Sequence, residues 1–348
     1  MNQWRNRSLG AFIAVSLFLA FTLEAQETNA EKAVFFLAEE QEAGGNWNRE
    51  KRKQTVDTLE SFRALQRVRG GEAALNNALK YFSALEEDTN ENLSSKLLIL
   101  SNSTANVTEL ATKLISRQKQ DGGWGLVDSK RGAIPDTILA INALIASQKS
   151  SASALNSAGD FLLRSQQASG AWIFSDELSL SDTIHTAQVL IVLQNLRESG
   201  HLAGSGLEQA MSKAQKFLED KASGNGSYGT LLDTAWTYLA FSRLKQPSEL
   251  QQTLSYINGQ QQANGSWNNL IYDTAICLQA LSAIQAPQTD LADLEITEQN
   301  ISFTPQAPLT GNQVTITATV SNIGKLDAKG VKVEFFNGDP RLGGTSHC

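Results

Sequence analysis

Five aspartates are the first candidates for chemistry, because each is followed by Thr and opens an apolar run. They are Asp57, Asp136, Asp182, Asp233 and Asp273. A carboxyl group at an apolar cavity can act as a general acid when a neighbouring carboxylate raises its pKa. An aspartate with a histidine, such as Asp182 with His185, can contribute to a zinc site. These are the two chemistries that the residue types permit.

Aromatic residues accompany these aspartates, since Trp236 and Tyr238 follow one of them and Tyr272 precedes another. Their rings combine apolar surface with polar tips. Aspartates at helix N-termini occupy the positions that attract anions, so an anionic ligand is disfavoured there. We therefore expect a lipid, an isoprenoid-like chain, a glycan or a peptide as ligand; the alternative is that these residues only fill the core. The candidate binding residues are Asp136, Asp182, His185, Asp233, Trp236, Tyr238, Tyr272 and Asp273.

A repeated motif surrounds these residues. Four segments have Gln, then Gly, then Trp at fixed spacing: Gln41-Gly45-Trp47, Gln118-Gly122-Trp124, Gln166-Gly170-Trp172 and Gln261-Gly265-Trp267. A fifth segment keeps Gly226 and has Tyr228 in place of Trp. Successive Asp-Thr aspartates are 79, 46, 51 and 40 residues apart, so the first interval holds two periods. A degenerate unit with helices over 73–85 and 93–100 is expected there, which makes six units.

The two helices of a unit have different apolar patterns. The first is apolar on one face, as over 207–218, and belongs on the outside. The second, as over 184–196, is apolar on nearly all sides and must be covered. Alternating outer and inner helices can close into a double ring or stack into an open solenoid. We expect the motif Gly to cap the outer helix and the Asp to cap the inner helix.

The Gln-x-x-x-Gly-x-Trp repeat resembles the motif of squalene and oxidosqualene cyclases. Asp-Thr-Ala at Asp233 and Asp273 is similar to sequences of the same superfamily, which includes the prenyltransferases. The resemblance covers residues 30–284. It implies a mainly α fold, an (α/α)6 toroid of six helix-pair repeats around a central cavity.

The catalytic residues of that superfamily are replaced at the matching positions. Its cyclases use an Asp-x-Asp-Asp-Thr run, whereas Pro, Ser, Leu or Tyr precedes the Asp-Thr pairs from Asp136 onward. Its prenyltransferases bind zinc with Asp, Cys and His. The segment at 182–186 resembles the one with the His ligand, but Ile138 stands where Cys is expected. The Cys-Gly-Glu-Gln run of complement-like thioester domains is missing. We therefore predict no catalytic residue, no metal and no cofactor.

The N-terminal 25 residues have the pattern of a bacterial export signal. Arg5 and Arg7 precede an apolar stretch over 9–23 that is short for a membrane span. Cleavage before Gln26 would give a secreted or periplasmic protein without a membrane span, and a retained anchor helix is the alternative. The net charge of −7 and the lack of a long basic run argue against a nucleic-acid partner.

The composition changes after residue 284. A linker is predicted over 285–292, and alternating apolar residues such as Val314 and Ile316 then predict strands. The stretch over 293–344 resembles the beginning of the CARDB family, Ig-like β-sandwiches of bacterial surface proteins, with close matches over 311–316 and 337–340. Such a sandwich needs about 100 residues. Residues 293–348 are therefore expected to be a partial Ig-like β-sandwich.

These patterns predict an exported, non-catalytic binding or scaffold protein of the bacterial cell envelope. The toroid would bind its ligand at the cavity mouth, and the CARDB-like module would attach it to envelope or matrix proteins. The alternative is an enzyme acting on a lipid or a glycan, of the terpenoid cyclase or prenyltransferase type or of the polysaccharide-active (α/α)6 type. Two carboxylates from different units that meet in the cavity would favour this alternative.

Overall fold

The computed structural model describes most of the helical region and short parts of the chain on either side. The described residues are 17–19, 28–101, 103, 106–149, 151–173, 182–283, 294–295, 300–305, 313–322, 333–337 and 345–346. The chain divides into two compact units, a helical one over Thr28–Ile284 and one that contains the strands. The predicted linker, and the predicted export signal apart from residues 17–19, lie outside the described residues.

Twelve α-helices of the described residues form six pairs. The outer helices are α1 (Asn29–Glu39), α3 (Glu72–Ala84), α5 (Thr108–Ser116), α7 (Ala152–Ser165), α9 (Ser205–Glu219) and α11 (Gln251–Gly259). The inner helices are α2 (Lys51–Val68), α4 (Asn90–Leu100), α6 (Ile134–Ser147), α8 (Asp182–Glu198), α10 (Leu231–Phe241) and α12 (Ile271–Leu281). A short 3-10 helix, Pro247–Leu250, precedes α11. The predicted degenerate unit is the pair of α3 and α4, so the six predicted pairs are confirmed.

The inner helices form a closed ring. Each of them contacts the inner helices before and after it, and α12 contacts α2. The outer helices bury one stripe, as α9 does with Leu207, Ala210, Met211, Ala214 and Leu218. In α10, ten of the eleven residues are buried. The predicted (α/α)6 toroid is therefore confirmed, and the helical unit is not an open solenoid.

In the four units that have it, the repeat Gln joins its unit to the next one. The Nε2 group of Gln118 donates to the carbonyl of Gly122 at 2.7 Å and to the carbonyl of Ala154 in α7 at 2.8 Å. The equivalent glutamines of the first and fourth units make the same two bonds. Gln261 donates to the carbonyl of Asn29 at 2.7 Å, which joins the last unit to the first.

The repeat Trp packs between the two helices of its own unit. In the four Trp-containing repeats, the indole Nε1 donates to the carbonyl ten residues earlier at 2.6–2.8 Å. The backbone N–H of the Trp donates to a threonine hydroxyl of the inner helix. These acceptors are Thr58, Thr137, Thr186 and Thr274, and Thr234 accepts from Tyr228 in the fifth repeat. The motif is thus a set of packing contacts.

The repeat Gly has a different role from the predicted helix cap. α5 ends at Ser116, whereas Gly122 lies in the turn that follows, with φ of +90°. A Cβ at Gly122 would lie 2.3 Å from the carbonyl oxygen of Ser157 in the next outer helix. The expected capping role is wrong, because contact with the neighbouring unit, and not the end of the helix, requires glycine. The same geometry recurs at Gly45, Gly170, Gly226 and Gly265.

The repeat aspartates are also not N-caps. Asp57 lies well inside α2 and accepts a hydrogen bond from Asn48 Nδ2 at 2.7 Å. Asp273 is the third residue of α12 and accepts from Asn268 Nδ2 at 2.7 Å. In α10 the N-cap is Thr230, and the aspartate is its partner in a capping box. The expected N-cap role is wrong, because these carboxylates mainly fasten the preceding turn to the inner helix.

The second unit has seven short strands within the described residues. They are β1 (Leu17–Leu19), β2 (Leu294–Glu295), β3 (Ile301–Thr304), β4 (Thr315–Ala318), β5 (Ser321–Asn322), β6 (Val333–Asn337) and β7 (Thr345–Ser346). Antiparallel pairing joins β1, β6 and β7, then β2 with β5, and β3 with β4. In the last pair Phe303 lies opposite Ile316, and exposure alternates as predicted. β1 lies within the predicted export signal, which stays a prediction.

None of the helices in the described ranges combines the length and apolar character that crossing a bilayer requires.

Candidate functional site

A cavity of about 900 Å³ lies inside the inner ring. All six inner helices line it, together with the turn between α5 and α6. Its lining follows one stripe of each helix, because residues three or four apart share a face. On α2 this stripe runs from Val56 through Glu60 and Arg63 to Arg67, and on α8 it runs from His185 to Asn195. A volume of this size is typical of pockets for small ligands.

Four of the eight predicted binding residues line the cavity. Asp136, His185, Trp236 and Tyr272 line it. Asp182 is exposed and lies outside it, and Tyr238 is packed in the core with 1% exposure. Asp233 and Asp273 are buried beside the turns and do not line the cavity.

The fourth unit corrects the position of one repeat aspartate. The backbone N–H of Trp172 donates to the hydroxyl of Thr186 at 3.1 Å, so Thr186 is the equivalent of the other repeat threonines. His185 therefore occupies the position held by aspartate in four other units. Asp182 resembles the repeat aspartates only in being followed by Thr, since it starts α8 about one turn before His185. A buried, cavity-lining imidazole thus replaces a carboxylate in this unit.

Two carboxyl groups from neighbouring units line the same end of the cavity. Glu91 lies in the first turn of α4 and Asp136 in the first turn of α6. Burial, and then the negative charge of Asp136, raise the pKa of Glu91 to about 7. Burial also raises the pKa of Asp136, while Lys119 lowers it. Near neutral pH Glu91 therefore keeps its proton for a large fraction of the time.

An aromatic and polar cluster is formed by residues of α2, α10 and α12 that line the cavity. Trp236 is 6% exposed, and its indole faces the phenol of Tyr272. Burial raises the pKa of Tyr272, and the negative charge of Glu60 raises it further. The phenol therefore keeps its proton and can donate a hydrogen bond. Glu60 is held by Arg63 at 3.1 Å and by Gln279 Nε2 at 2.8 Å.

Arginines line the other end of the cavity, near the C-termini of the inner helices. Arg63 and Arg67 lie on the last turns of α2, and Arg243 follows the end of α10. Arg243 donates to Asn195 Oδ1 at 2.6 Å and is paired with Glu198. These arginines and the acid Glu91 are not among the residues predicted from the sequence. The signal that could have found them is charge within helices that must be covered on most sides.

No group of three or more His, Cys, Asp or Glu side chains within the described ranges is placed to hold a metal ion. His185 is the one cavity-lining imidazole of these residues, and Ile138, where a thiolate ligand would be expected, lines the cavity as an apolar wall.

The helical unit is similar to solved structures of several activities. A protein from Actinoplanes is 14% identical over 74% of this chain and 99% of its own, with a TM-score of 0.57. The type II terpene cyclase MstE from Scytonema is 14% identical over 73% and 96%, with a TM-score of 0.56. A possible member of the GH105 family from Salmonella enterica serovar Paratyphi A is 9% identical over 73% and 92%, with a TM-score of 0.54.

The remaining comparisons concern sequence. The CARDB family model matches residues 291–346. No curated protein matches the chain. At identities of 9–14% the structural likeness establishes the fold alone. The helical unit is therefore an α/α-toroid like that of the terpene cyclases, and it is followed by a segment that matches CARDB.

Proposed function

We propose that the protein is an exported binding protein of the bacterial cell envelope. Its helical ring binds an elongated, largely apolar ligand in the central cavity. The CARDB-matching segment attaches the ring to envelope or matrix proteins. The ligand class is a lipid or an isoprenoid-like chain, in preference to a glycan or a peptide.

One observation carries this proposal: a closed ring of helices surrounds a cavity of about 900 Å³, and apolar side chains of several inner helices line part of it. Leu139, Ile191, Trp236 and Leu239 come from three different helices and face the same space. Burying an alkyl chain against such a wall stabilises the complex by about 25 cal/mol for each Å² removed from water. Glycans and peptides carry a polar group at nearly every unit, and these four side chains offer them only the indole N–H of Trp236 as a partner.

The test uses dodecanol as a neutral probe and the full-length protein, with affinity measured by titration calorimetry. Trp236→Ala and Tyr238→Phe form a matched pair, because both residues lie on α10 and only Trp236 lines the cavity. We expect Trp236→Ala to bind at least tenfold more weakly and to remain folded at the titration temperature, although the loss of a side chain that is only 6% exposed lowers its melting temperature. Tyr238→Phe should bind like the wild type. Lack of dodecanol binding by the wild-type protein would contradict the proposal.

Export and attachment are supported by the basic and apolar N-terminal pattern and by the CARDB match over 291–346. The mature protein is expected to begin at Gln26 and to be recovered outside the cytoplasm. N-terminal sequencing of the fractionated protein tests this. An intact Met1 in the cytoplasmic fraction contradicts it.

A second candidate function, an enzyme, is favoured by the pairing of Glu91 with Asp136. A carboxyl group with a pKa of about 7 in an apolar cavity is suited to general acid catalysis at neutral pH. Incubation with squalene or with mixed oligosaccharides, followed by mass spectrometry, tests this role. A product formed by the wild type and by Glu86→Gln, but not by Glu91→Gln, supports an enzyme. Equal yields from both variants exclude Glu91 as the acid.

A further inference from the structure

The C-terminal end of the inner ring is a basic cluster, which we define as Arg63, Arg67 and Arg243. The inner helices run in the same direction, so their C-terminal halves meet at this end. Asn195 of α8 donates to Asn142 of α6 at 2.9 Å and accepts from Arg243. The three guanidinium groups all line the cavity.

The basic cluster has more positive than negative charge. Arg63 is paired with Glu60, and Arg243 is paired with Glu198. Arg67 forms no ion pair within the described part of the chain, and its Nη1 reaches only a backbone carbonyl at 3.4 Å. Three cations against two carboxylates leave one charge in excess. An anion that enters here would gain charge-assisted hydrogen bonds from a planar donor group.

Arg67 lies near two positive charges and one negative charge. Burial of part of the side chain, and then the positive charge of Arg63, lower the pKa of Arg67, whereas Glu60 raises it and Arg243 lowers it. A bound anion relieves this repulsion without changing the fold. The guanidinium remains charged at neutral pH, because its ordinary pKa is far higher.

An apolar wall continues from the basic cluster into the cavity. Leu239 lies one turn before Arg243, and Ile191 lies one turn before Asn195. Trp236 and Leu139 extend this wall toward the acid pair. A molecule with a charged head and an apolar tail would match both parts at once, since the head would face the arginines and the tail would cover the wall.

We propose that the basic cluster binds the anionic head group of an amphiphile whose apolar tail lies along the cavity. This inference rests on the proposed function and adds the charge and the direction of the ligand. The aspartates at the inner-helix N-termini still disfavour an anion at their own end. The ligand is therefore oriented with its head toward Arg67 and its tail toward Trp236.

The experiment compares dodecyl phosphate, dodecanoate and dodecanol, which share one tail and differ in the head. Each is titrated calorimetrically, below its solubility limit or critical micelle concentration, into the full-length wild type, Arg67→Gln and Arg69→Gln. Arg69 is a matched control, because it lies at the same end of α2 and does not line the cavity. Melting temperatures of the three proteins check that the variants fold.

We expect the wild type to bind at least one anion roughly tenfold or more tightly than dodecanol, as charge-assisted hydrogen bonds provide. Arg67→Gln loses this preference and keeps its affinity for dodecanol, whereas Arg69→Gln keeps both. If dodecyl phosphate binds more tightly than dodecanoate, the preferred head group is doubly charged. If dodecanoate binds more tightly, the preferred head group is a carboxylate. Dodecanol binding as tight as the anions, or a preference that survives in Arg67→Gln, overturns the inference and leaves the proposed function intact. Failure of all three probes overturns both.

Discussion

The repeat turns and the cavity wall belong to the same six helix pairs, but only the turns keep the same residue types from one unit to the next. In the turns, glutamine, glycine and tryptophan recur with nearly the same geometry, and the four Gln Nε2 to Gly carbonyl distances lie between 2.7 and 3.0 Å. In the wall, each helix contributes different side chains. The fourth unit, for example, has His185 where four other units have an aspartate.

The difference has a physical cause. A turn residue meets the same atoms of the next unit every time, so the close approach at Gly122 leaves no alternative residue. A wall residue faces open space, where no neighbouring atom restricts its type. Repetition therefore encodes the ring, and departures from repetition mark the residues available to a ligand.

The largest expected effect comes from a turn. Gly122→Ala places a Cβ 2.3 Å from the Ser157 carbonyl and requires φ of +90° from an L side chain. We expect the free energy of unfolding to fall by roughly 3 kcal/mol or more. Gly259→Ala is the control, because nothing lies near that position, and it should change stability by less than about 1 kcal/mol. Urea unfolding measures both, and equal effects would contradict the role of close approach.

A wall residue should change stability in the opposite direction. The pKa of Glu91 is raised from 4.5 to about 7, so the folded state holds its proton more tightly than the unfolded state. The stability that this provides is present below pH 4.5 and is lost as the pH rises to about 7. At pH 8 the charge on Glu91 lowers the free energy of unfolding of the wild type by roughly 2–3 kcal/mol. Glu91→Gln carries no charge there and should therefore be more stable than the wild type. Melting temperatures between pH 4 and 8 test this, with Glu86→Gln as the exposed control.

Thr186→Val tests the corrected register of the fourth unit. Valine has the same shape but cannot accept the hydrogen bond from the backbone N–H of Trp172. The buried donor left behind should cost roughly 1–3 kcal/mol of unfolding free energy. Chemical denaturation of the variant provides the value. A stability equal to that of the wild type would mean that this bond does not fasten the turn.

The smallest effect is expected at Asp182, which belongs to neither the turn contacts nor the wall. Its side chain is exposed at the start of α8, where a negative charge gives the helix weak support. Asp182→Asn should change stability by about 0.5 kcal/mol and leave dodecanol affinity unchanged. A tenfold weaker affinity would return this residue to the candidate site.

The number and order of the helix pairs could be predicted from sequence, because apolar periodicity and a fixed motif repeat along the chain. Even the degenerate unit of α3 and α4 was predicted, because the 79 residues between Asp57 and Asp136 span two repeat periods. The register of the fourth unit was mispredicted, since the Trp-to-Thr separation varies from 7 to 14 residues among the Trp-containing units. Because the length of this loop varies, it does not fix which residues are equivalent to the repeat Asp-Thr pair. Asp182-Thr183 matches that pair in sequence, but His185-Thr186 occupies its position in the structure.

The site was only partly predictable. Aromatic and acidic residues at the inner-helix N-termini indicated Asp136, His185, Trp236 and Tyr272, which line the cavity. The basic cluster lies about two to three turns further along the helices, at ends that carry no motif. Its arginines come from α2 and the end of α10, and they line the same cavity only because the ring closes. No local sequence pattern predicts that closure.

Closure of the ring also bears on how the chain folds during synthesis. The bond from Gln261 to the Asn29 carbonyl joins residues 232 positions apart, and a Cβ at Gly265 would meet the Lys32 carbonyl. These contacts cannot form until almost the whole helical unit has left the ribosome. Until then α2 lacks the neighbour that covers one of its sides. Completion of the toroid is therefore a late event, governed by the last helix pair to be translated.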